Sequence, residues 1–222
     1  MRIEERFGDP AVSNRETAVS EILKRRVSAI VRTKDQRLAG DAMRAAVEGG
    51  FRLGEFALTT PGALELITDF AKKPDLLVGA GTVLTVEQAQ VTVKAGARFL
   101  VSPICDPQII AEAHKLGVPA IPGTFTATEM EIAHRAGADF VKLFPAPADL
   151  PAYIASILAP LPHLRIYPTN GVTVDNVLDV LRAGAAGTGF AKALFEPAWL
   201  AEKDFAAIRR RAAQITQRVA NS

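Results

Sequence analysis

The sequence predicts an α/β fold, a single (β/α)8 TIM barrel with one additional N-terminal helix, and three observations carry that expectation. Eight short apolar runs recur at intervals of roughly 20 to 25 residues. Segments with the spacing of amphipathic helices separate them. No linker or change in composition divides the 222 residues, a length within the range of one barrel domain. Strict strand–helix alternation implies right-handed crossovers and a parallel sheet, and eight units favour closure over an open sheet. A doubly wound sheet is the alternative, but Gly79-Ala80-Gly81-Thr82 lacks the full dinucleotide fingerprint.

In chain order, a polar start containing Gly8-Asp9-Pro10 leads into a helix over about 14–26, where Thr17, Ile22 and Leu23 fall in a helical pattern. The barrel is expected over about 27–196. Its strands are expected at 28–32, 52–58, 76–82, 98–103, 119–123, 139–145, 164–168 and 187–191. A C-terminal helix over about 198–219 completes the domain. Gly50, Gly96, Gly137 and Gly184 each stand where a helix should stop, and a left-handed glycine there would turn the chain into the next strand.

Composition excludes several function classes. Lys and Arg number 26 against 24 Asp and Glu, so no strong field invites nucleic acid or anionic lipid. Cys105 is the single cysteine, and the charged opening Met1-Arg2-Ile3-Glu4-Glu5-Arg6 is no signal core, which together favour a reducing cytoplasm. No apolar run approaches the roughly 18 to 20 residues of a membrane span. His114, His134 and His163 show no metal-ligand spacing, and Lys24-Arg25-Arg26 and Arg209-Arg210-Arg211 read as solvated helix faces.

Active sites of barrels gather at the C-terminal ends of strands, so a polar side chain on an apolar strand is the feature that matters. Lys142 lies in Phe140-Val141-Lys142-Leu143-Phe144, where alternation sets Val141 and Leu143 on one face and Phe140, Lys142 and Phe144 on the other. Desolvation lowers an amine's pKa and frees it to attack a ketone, so a Schiff-base nucleophile is expected; a snorkelling or ion-paired lysine is the alternative. Glu55 shares a face with Leu53, Ala57 and Thr59. Beside an amine it could move protons, or it could be a structural ion-pair partner. Thr82 follows Gly79 and Gly81, which would let a substrate approach the backbone, and it offers a hydroxyl to a carboxylate or ketone. Tyr167-Pro168-Thr169-Asn170-Gly171 and Gly187-Thr188-Gly189-Phe190-Ala191-Lys192 end the last two strands, where barrels often hold phosphate; these glycines could equally just close turns.

These residues carry a resemblance. Over most of residues 20–196 the chain resembles the 2-keto-3-deoxy-6-phosphogluconate (KDPG) and 4-hydroxy-2-oxoglutarate (KHG) aldolases. The motifs are Glu55 on the second strand, Gly79-Ala80-Gly81-Thr82-Val83-Leu84, Val101-Ser102-Pro103, Ile121-Pro122-Gly123, Phe140 to Pro145 and Pro168-Thr169-Asn170-Gly171. The resemblance implies Lys142 as the Schiff-base lysine, Glu55 as the general acid–base and Thr82 as a carboxylate contact. Arg32 and Thr59 would share the carboxylate, since some members carry an arginine where this chain has Thr59. Pro103 would line the site, and Thr169, Asn170, Gly171, Gly189, Phe190, Ala191 and Lys192 would face the phosphate, with Asn170 in place of a glycine and Ala191-Lys192 in place of Gly-Ser or its like. The implied partner is a phosphorylated small-molecule 2-keto acid, cleaved to pyruvate and an aldehyde in the Entner–Doudoroff manner by a cytoplasmic homotrimer. No metal or organic cofactor is expected, because an iminium supplies the electron sink. A non-covalent phosphate-binding isomerase or synthase, and a barrel that has lost catalysis, are the rival readings.

Overall fold

The computed structural model describes residues 10–221; the polar start at Gly8 and Asp9 lies outside them. The strands are β1 (Val27–Val31), β2 (Leu53–Ala57), β3 (Leu77–Gly81), β4 (Leu100–Val101), β5 (Ala120–Ile121), β6 (Gly123–Thr124), β7 (Val141–Leu143), β8 (Ile166–Pro168) and β9 (Thr188–Phe190). The helices are α1 (Pro10–Arg25), α2 (Gln36–Glu48), α3 (Ala63–Ala71), α4 (Val86–Lys94), α5 (Pro107–Lys115), α6 (Ala127–Arg135), α7 (Leu150–Leu158), α8 (Val177–Arg182), α9 (Pro197–Glu202) and α10 (Phe205–Ala220).

Every strand pairing is parallel, in the orders β5-β4-β3-β2-β1-β9 and β6-β7-β8. The expected alternation and parallel pairing are present. The expected fifth strand, however, is two. Pro122 has no backbone N–H to continue a ladder, and the halves on either side of it pair apart, β5 with β4 and β6 with β7. The strands therefore fall into a six-stranded and a three-stranded sheet.

Local chemistry sets the helix ends. Asp35, Thr85, Asp106, Thr126, Asp149 and Asp204 each accept a backbone N–H from the first turn that follows, and Thr126 with Glu129 completes a reciprocal capping box. The four helix-stopping glycines have φ of +104°, +108°, +95° and +104° in chain order, as expected of them. The C-terminal segment departs from the expectation of one helix. Lys203 takes a left-handed φ of +55°, and Asp204 caps a new helix, so α9 and α10 are separate.

Period-two alternation sorts the strand side chains into two cores. Ala29, Phe56, Val78, Val141 and Leu143 pack outward against the helices. Leu53, Leu77, Phe99, Ile121, Phe140 and Tyr167 pack inward, so both sheets contribute to one inner core. Helix α1 sends Ala18 and Ile22 into that core and is tied down by an Arg15–Asp139 ion pair of 2.8 Å, with His114 on the same carboxylate at 3.3 Å. The inner core is packed by pairing large side chains with missing ones. A Cβ on Gly79 would lie 2.4–2.5 Å from three atoms of the Phe99 ring, which is fully enclosed.

A methyl group at position 79 has nowhere to go without displacing that ring. Gly79→Ala is expected to destabilise the chain by about 1–3 kcal/mol, read as a lower urea midpoint with an unchanged slope.

Candidate active site

Lys142 is the middle residue of β7, 7% exposed, and its register partners are Gly123 and Tyr167. Its peptide N–H donates to the Pro122 carbonyl at 2.8 Å, and its carbonyl accepts from the Thr124 hydroxyl at 3.0 Å, so the residue is held firmly at its base. The side chain points with the parity of Phe140, into the inner core. Its Nζ lies 5.1 Å from the centroid of the half-open Phe144 ring, an aromatic face suited to a cation. Phe144 had a readable signal in sharing parity with Lys142; the Phe144–Pro145 peptide is cis.

Glu55 is the middle residue of β2 and 3% exposed, between Ile30 of β1 and Gly79 of β3 in register. Its carboxyl lies across the face of β3, where a Cβ on Gly81 would stand 1.9 Å from Oε1. Gly79 and Gly81 thus have a different use from the one expected. They make room for Phe99 and Glu55.

Burial dominates the electrostatics of this pair. It raises the Glu55 pKa, against the opposing pull of Lys142 and Arg32. It lowers the Lys142 pKa, with Glu55 pulling the other way and Arg32 adding to the depression. Both groups are driven toward their neutral forms, a free amine and a carboxylic acid. The two influence each other through space without a direct ion pair, which disfavours the reading of a purely structural Glu–Lys bridge.

Thr82, just beyond β3, has φ +63°, a left-handed conformation that a β-branched residue rarely adopts and that costs on the order of 1–3 kcal/mol. Its hydroxyl accepts from Arg32 Nη2 at 3.1 Å. Lys142, Glu55, Arg32 and Thr82 therefore converge from β7, β2 and the ends of β1 and β3. Thr59 is exposed in the turn after β2, and Pro103 is half-buried, with its carbonyl packed against Gly123.

The loops after β8 and β9 meet in a pocket of about 440 Å³ whose lining includes Thr169, Asn170, Gly171, Gly189, Ala191 and Lys192. Two expectations need correction here. Phe190 does not face this pocket, because its ring is fully buried in the outer core 6.1 Å from Phe51. Asn170 does not simply add bulk to a run of open amides; its Oδ1 accepts the Gly171 N–H at 2.9 Å. A larger open cleft of about 780 Å³ borders the same loops, but its Arg211 is already bound to Glu196 and to the Ala193 carbonyl, and it holds no buried ionisable group. Ser28 and Tyr167, buried beside Glu55, escaped the sequence reading. Their strand parity was the available signal. Among the described residues no His, Cys, Asp and Glu cluster could hold a metal, and no helix is long and apolar enough to cross a membrane.

Comparison with known proteins places this geometry in context. The family model for KDPG and KHG aldolases matches residues 19–211. A 2-dehydro-3-deoxy-phosphogluconate aldolase of Treponema pallidum (strain Nichols) is 39% identical over 164 residues, 72% of this chain and 78% of that protein. A 2-dehydro-3-deoxy-6-phosphogalactonate aldolase of Escherichia coli (strain K12) is 35% identical over 167 residues, 73% of this chain and 80% of that protein. A solved structure of native KDPGal superposes with a TM-score of 0.78 at 29% identity, covering 88% of this chain and 94% of that one.

The raised Glu55 pKa has a stability consequence. A carboxyl whose folded pKa exceeds its ordinary 4.5 supports folding in acid and opposes it once pH rises through the folded value. Glu55→Gln is expected to match the parent below pH 4.5 and to gain relative stability as pH rises toward neutrality, measured by urea denaturation across that range.

Proposed function

The chain belongs to the KDPG and KHG aldolase family, and on that premise we propose that this carbon–carbon lyase works as a class I aldolase through a Schiff base on Lys142. The observation that carries the mechanism is that Lys142 of β7 and Glu55 of β2 are both buried in an otherwise apolar interior, where burial drives the amine and the carboxyl toward their neutral forms. A free amine attacks C2 of the 2-keto acid, the protonated Glu55 carboxyl gives its proton to the departing hydroxyl, and loss of water leaves an iminium and the Glu55 carboxylate. The Glu55 carboxylate takes the proton of the C4 hydroxyl, the C3–C4 bond breaks, and its electrons move into the iminium to give the enamine of pyruvate. Glu55 returns the proton to C3, and hydrolysis frees pyruvate and Lys142. Arg32 and Thr82 are suited to the substrate carboxylate, with Thr59 and Pro103 at the rim. The 440 Å³ pocket, with Lys192 at its edge, suits the phosphate end.

The substrate in this reading is 2-keto-3-deoxy-6-phosphogluconate, with 4-hydroxy-2-oxoglutarate as a second. The phosphogalactonate relative supports an alternative that differs only in configuration at C4. Both phosphorylated acids yield pyruvate and glyceraldehyde 3-phosphate, so product detection does not separate them. Running the reaction in the synthetic direction and assigning C4 does.

The same reading extends to a single domain forming one closed eight-stranded barrel, supported by the Ala186 N–H donating to the Ile166 carbonyl at 2.9 Å and the Thr188 hydroxyl donating to the Pro168 carbonyl at 2.9 Å, between β9 and β8. It also includes a cytoplasmic homotrimer. The exposed apolar side chains Leu84, Val91 and Ile104 around α4 suit a subunit contact. Sedimentation is expected to give a trimer, and a Leu84→Asp/Ile104→Asp variant a smaller species.

Incubation with pyruvate and borohydride is expected to leave a reduced pyruvyl adduct on Lys142, seen by intact mass and peptide mapping and lost in Lys142→Ala. No adduct under conditions that label a known Schiff-base aldolase overturns the covalent mechanism and favours a non-covalent isomerase or an inactive barrel. Glu55→Gln is expected to lower kcat by roughly 10²- to 10⁴-fold while adduct formation persists.

A further inference from the structure

Below Glu55, on the α1 side, lies an internal cavity walled mostly by apolar side chains, Ile22, Leu53 and Phe99 among them, and bordered also by four polar residues, Ser28, Glu55, Tyr167 and Thr169. It offers about 10 Å³ to a water centre, the smallest space that takes one water molecule. The Tyr167 hydroxyl and Thr169 Oγ1 are both buried without a hydrogen-bond partner, and their residues are only 3% and 7% exposed. Ser28, 2% exposed, stands next to the Tyr167 hydroxyl without hydrogen-bond geometry between them. Unsatisfied buried hydroxyls are uncommon in folded chains, and a pocket with several polar walls meets the needs of a buried water where an apolar one would stay dry.

We propose that this cavity binds one structural water that joins the Tyr167 hydroxyl to the Glu55 carboxyl, making Tyr167 a positioning residue for Glu55. The water site stands on its own; the role in proton transfer rests on the aldolase reading. Burial pushes the Tyr167 hydroxyl above its ordinary range, the neighbouring Ser28 hydroxyl opposing the shift and the Glu55 charge adding to it, so it remains an O–H donor. It donates to the water, and the water donates to the ionised carboxylate. When Glu55 holds the proton, the carboxyl donates to the water instead. The ionisable groups facing Glu55 are Lys142 on β7, Arg32 at the end of β1 and Tyr167 on β8. Arg32, and Lys142 when it carries a proton, oppose the burial penalty from the substrate side. The water does so from beneath and fixes which way the carboxyl faces.

The test pairs a crystal structure of the wild type with the pH profile of proton exchange at C3 of pyruvate, a step in which ionised Glu55 is the base. A water within hydrogen-bond reach of both Tyr167 and Glu55 is expected. Tyr167→Phe removes a donor that favours the ionised carboxylate, so the acid limb is expected to move upward by roughly half to one pH unit. Ser28→Ala is expected to shift it less in the same direction, and carries the test if Tyr167→Phe does not fold. A dry cavity in the wild type overturns the site, whatever the activity. An unmoved acid limb in a folded Tyr167→Phe enzyme overturns the positioning role. Absence of exchange in the wild type counts against the aldolase reading instead, leaving the crystallographic water to decide the site.

Discussion

Lys142 and Glu55 hang from strands of different sheets into an interior otherwise filled by aliphatic and aromatic side chains, and each loses most of its hydration there. Burying one such group alone would simply neutralise it. With both present, each charge partly offsets the other's burial, while Arg32 acts on both from the end of β1. In the proposed mechanism that balance leaves an amine able to attack and a carboxyl able to give a proton and, once ionised, to take one. Helices and caps matter to this chemistry mainly because they hold the strands that set the separation of these two groups.

Close packing on the inner face sets their depth. Glu55 takes its position because β3 has no side chain at Gly81, and Phe99 fills the gap at Gly79 one step lower. Gly189 makes the same kind of room for Ile30, and Gly187 for Tyr167. Neighbouring strands thus alternate large with absent side chains, and α1 closes the floor with Ala18 and Ile22. The polar groups are left at the upper layers and in the small cavity beneath Glu55. Thr82 is the one residue of the site whose backbone is visibly strained, and that strain turns its hydroxyl onto Arg32.

The loops after β8 and β9 show where residue type and placement part company. Phe190 sits between two pocket-lining residues in sequence, Gly189 and Ala191, yet strand alternation turns its ring outward onto Phe51. Asn170 consumes a neighbouring amide with its own side chain, and Asn176 binds the Gly171 carbonyl at 2.9 Å and the Thr173 N–H at 2.8 Å, so much of that loop is satisfied from within. In the proposed reading, recognition in this pocket therefore falls more on the exposed Lys192 side chain than a glycine-rich loop alone would suggest.

Alternation in the sequence determined which face Lys142 and Glu55 take, and the spacing of apolar runs determined a parallel α/β fold, because side-chain direction in a strand has period two and buried strands need apolar residues. Helix stops were equally legible, since few residues other than glycine take the left-handed backbone those ends require. Tertiary structure alone decided the rest. The two sheets divide at Pro122, Gly79 and Gly81 make room for Phe99 and Glu55, and Tyr167, Ser28 and Thr169 meet around one small cavity. Each of these depends on residues far apart in the chain meeting at ångström distances, and period and composition carry no information about such distances.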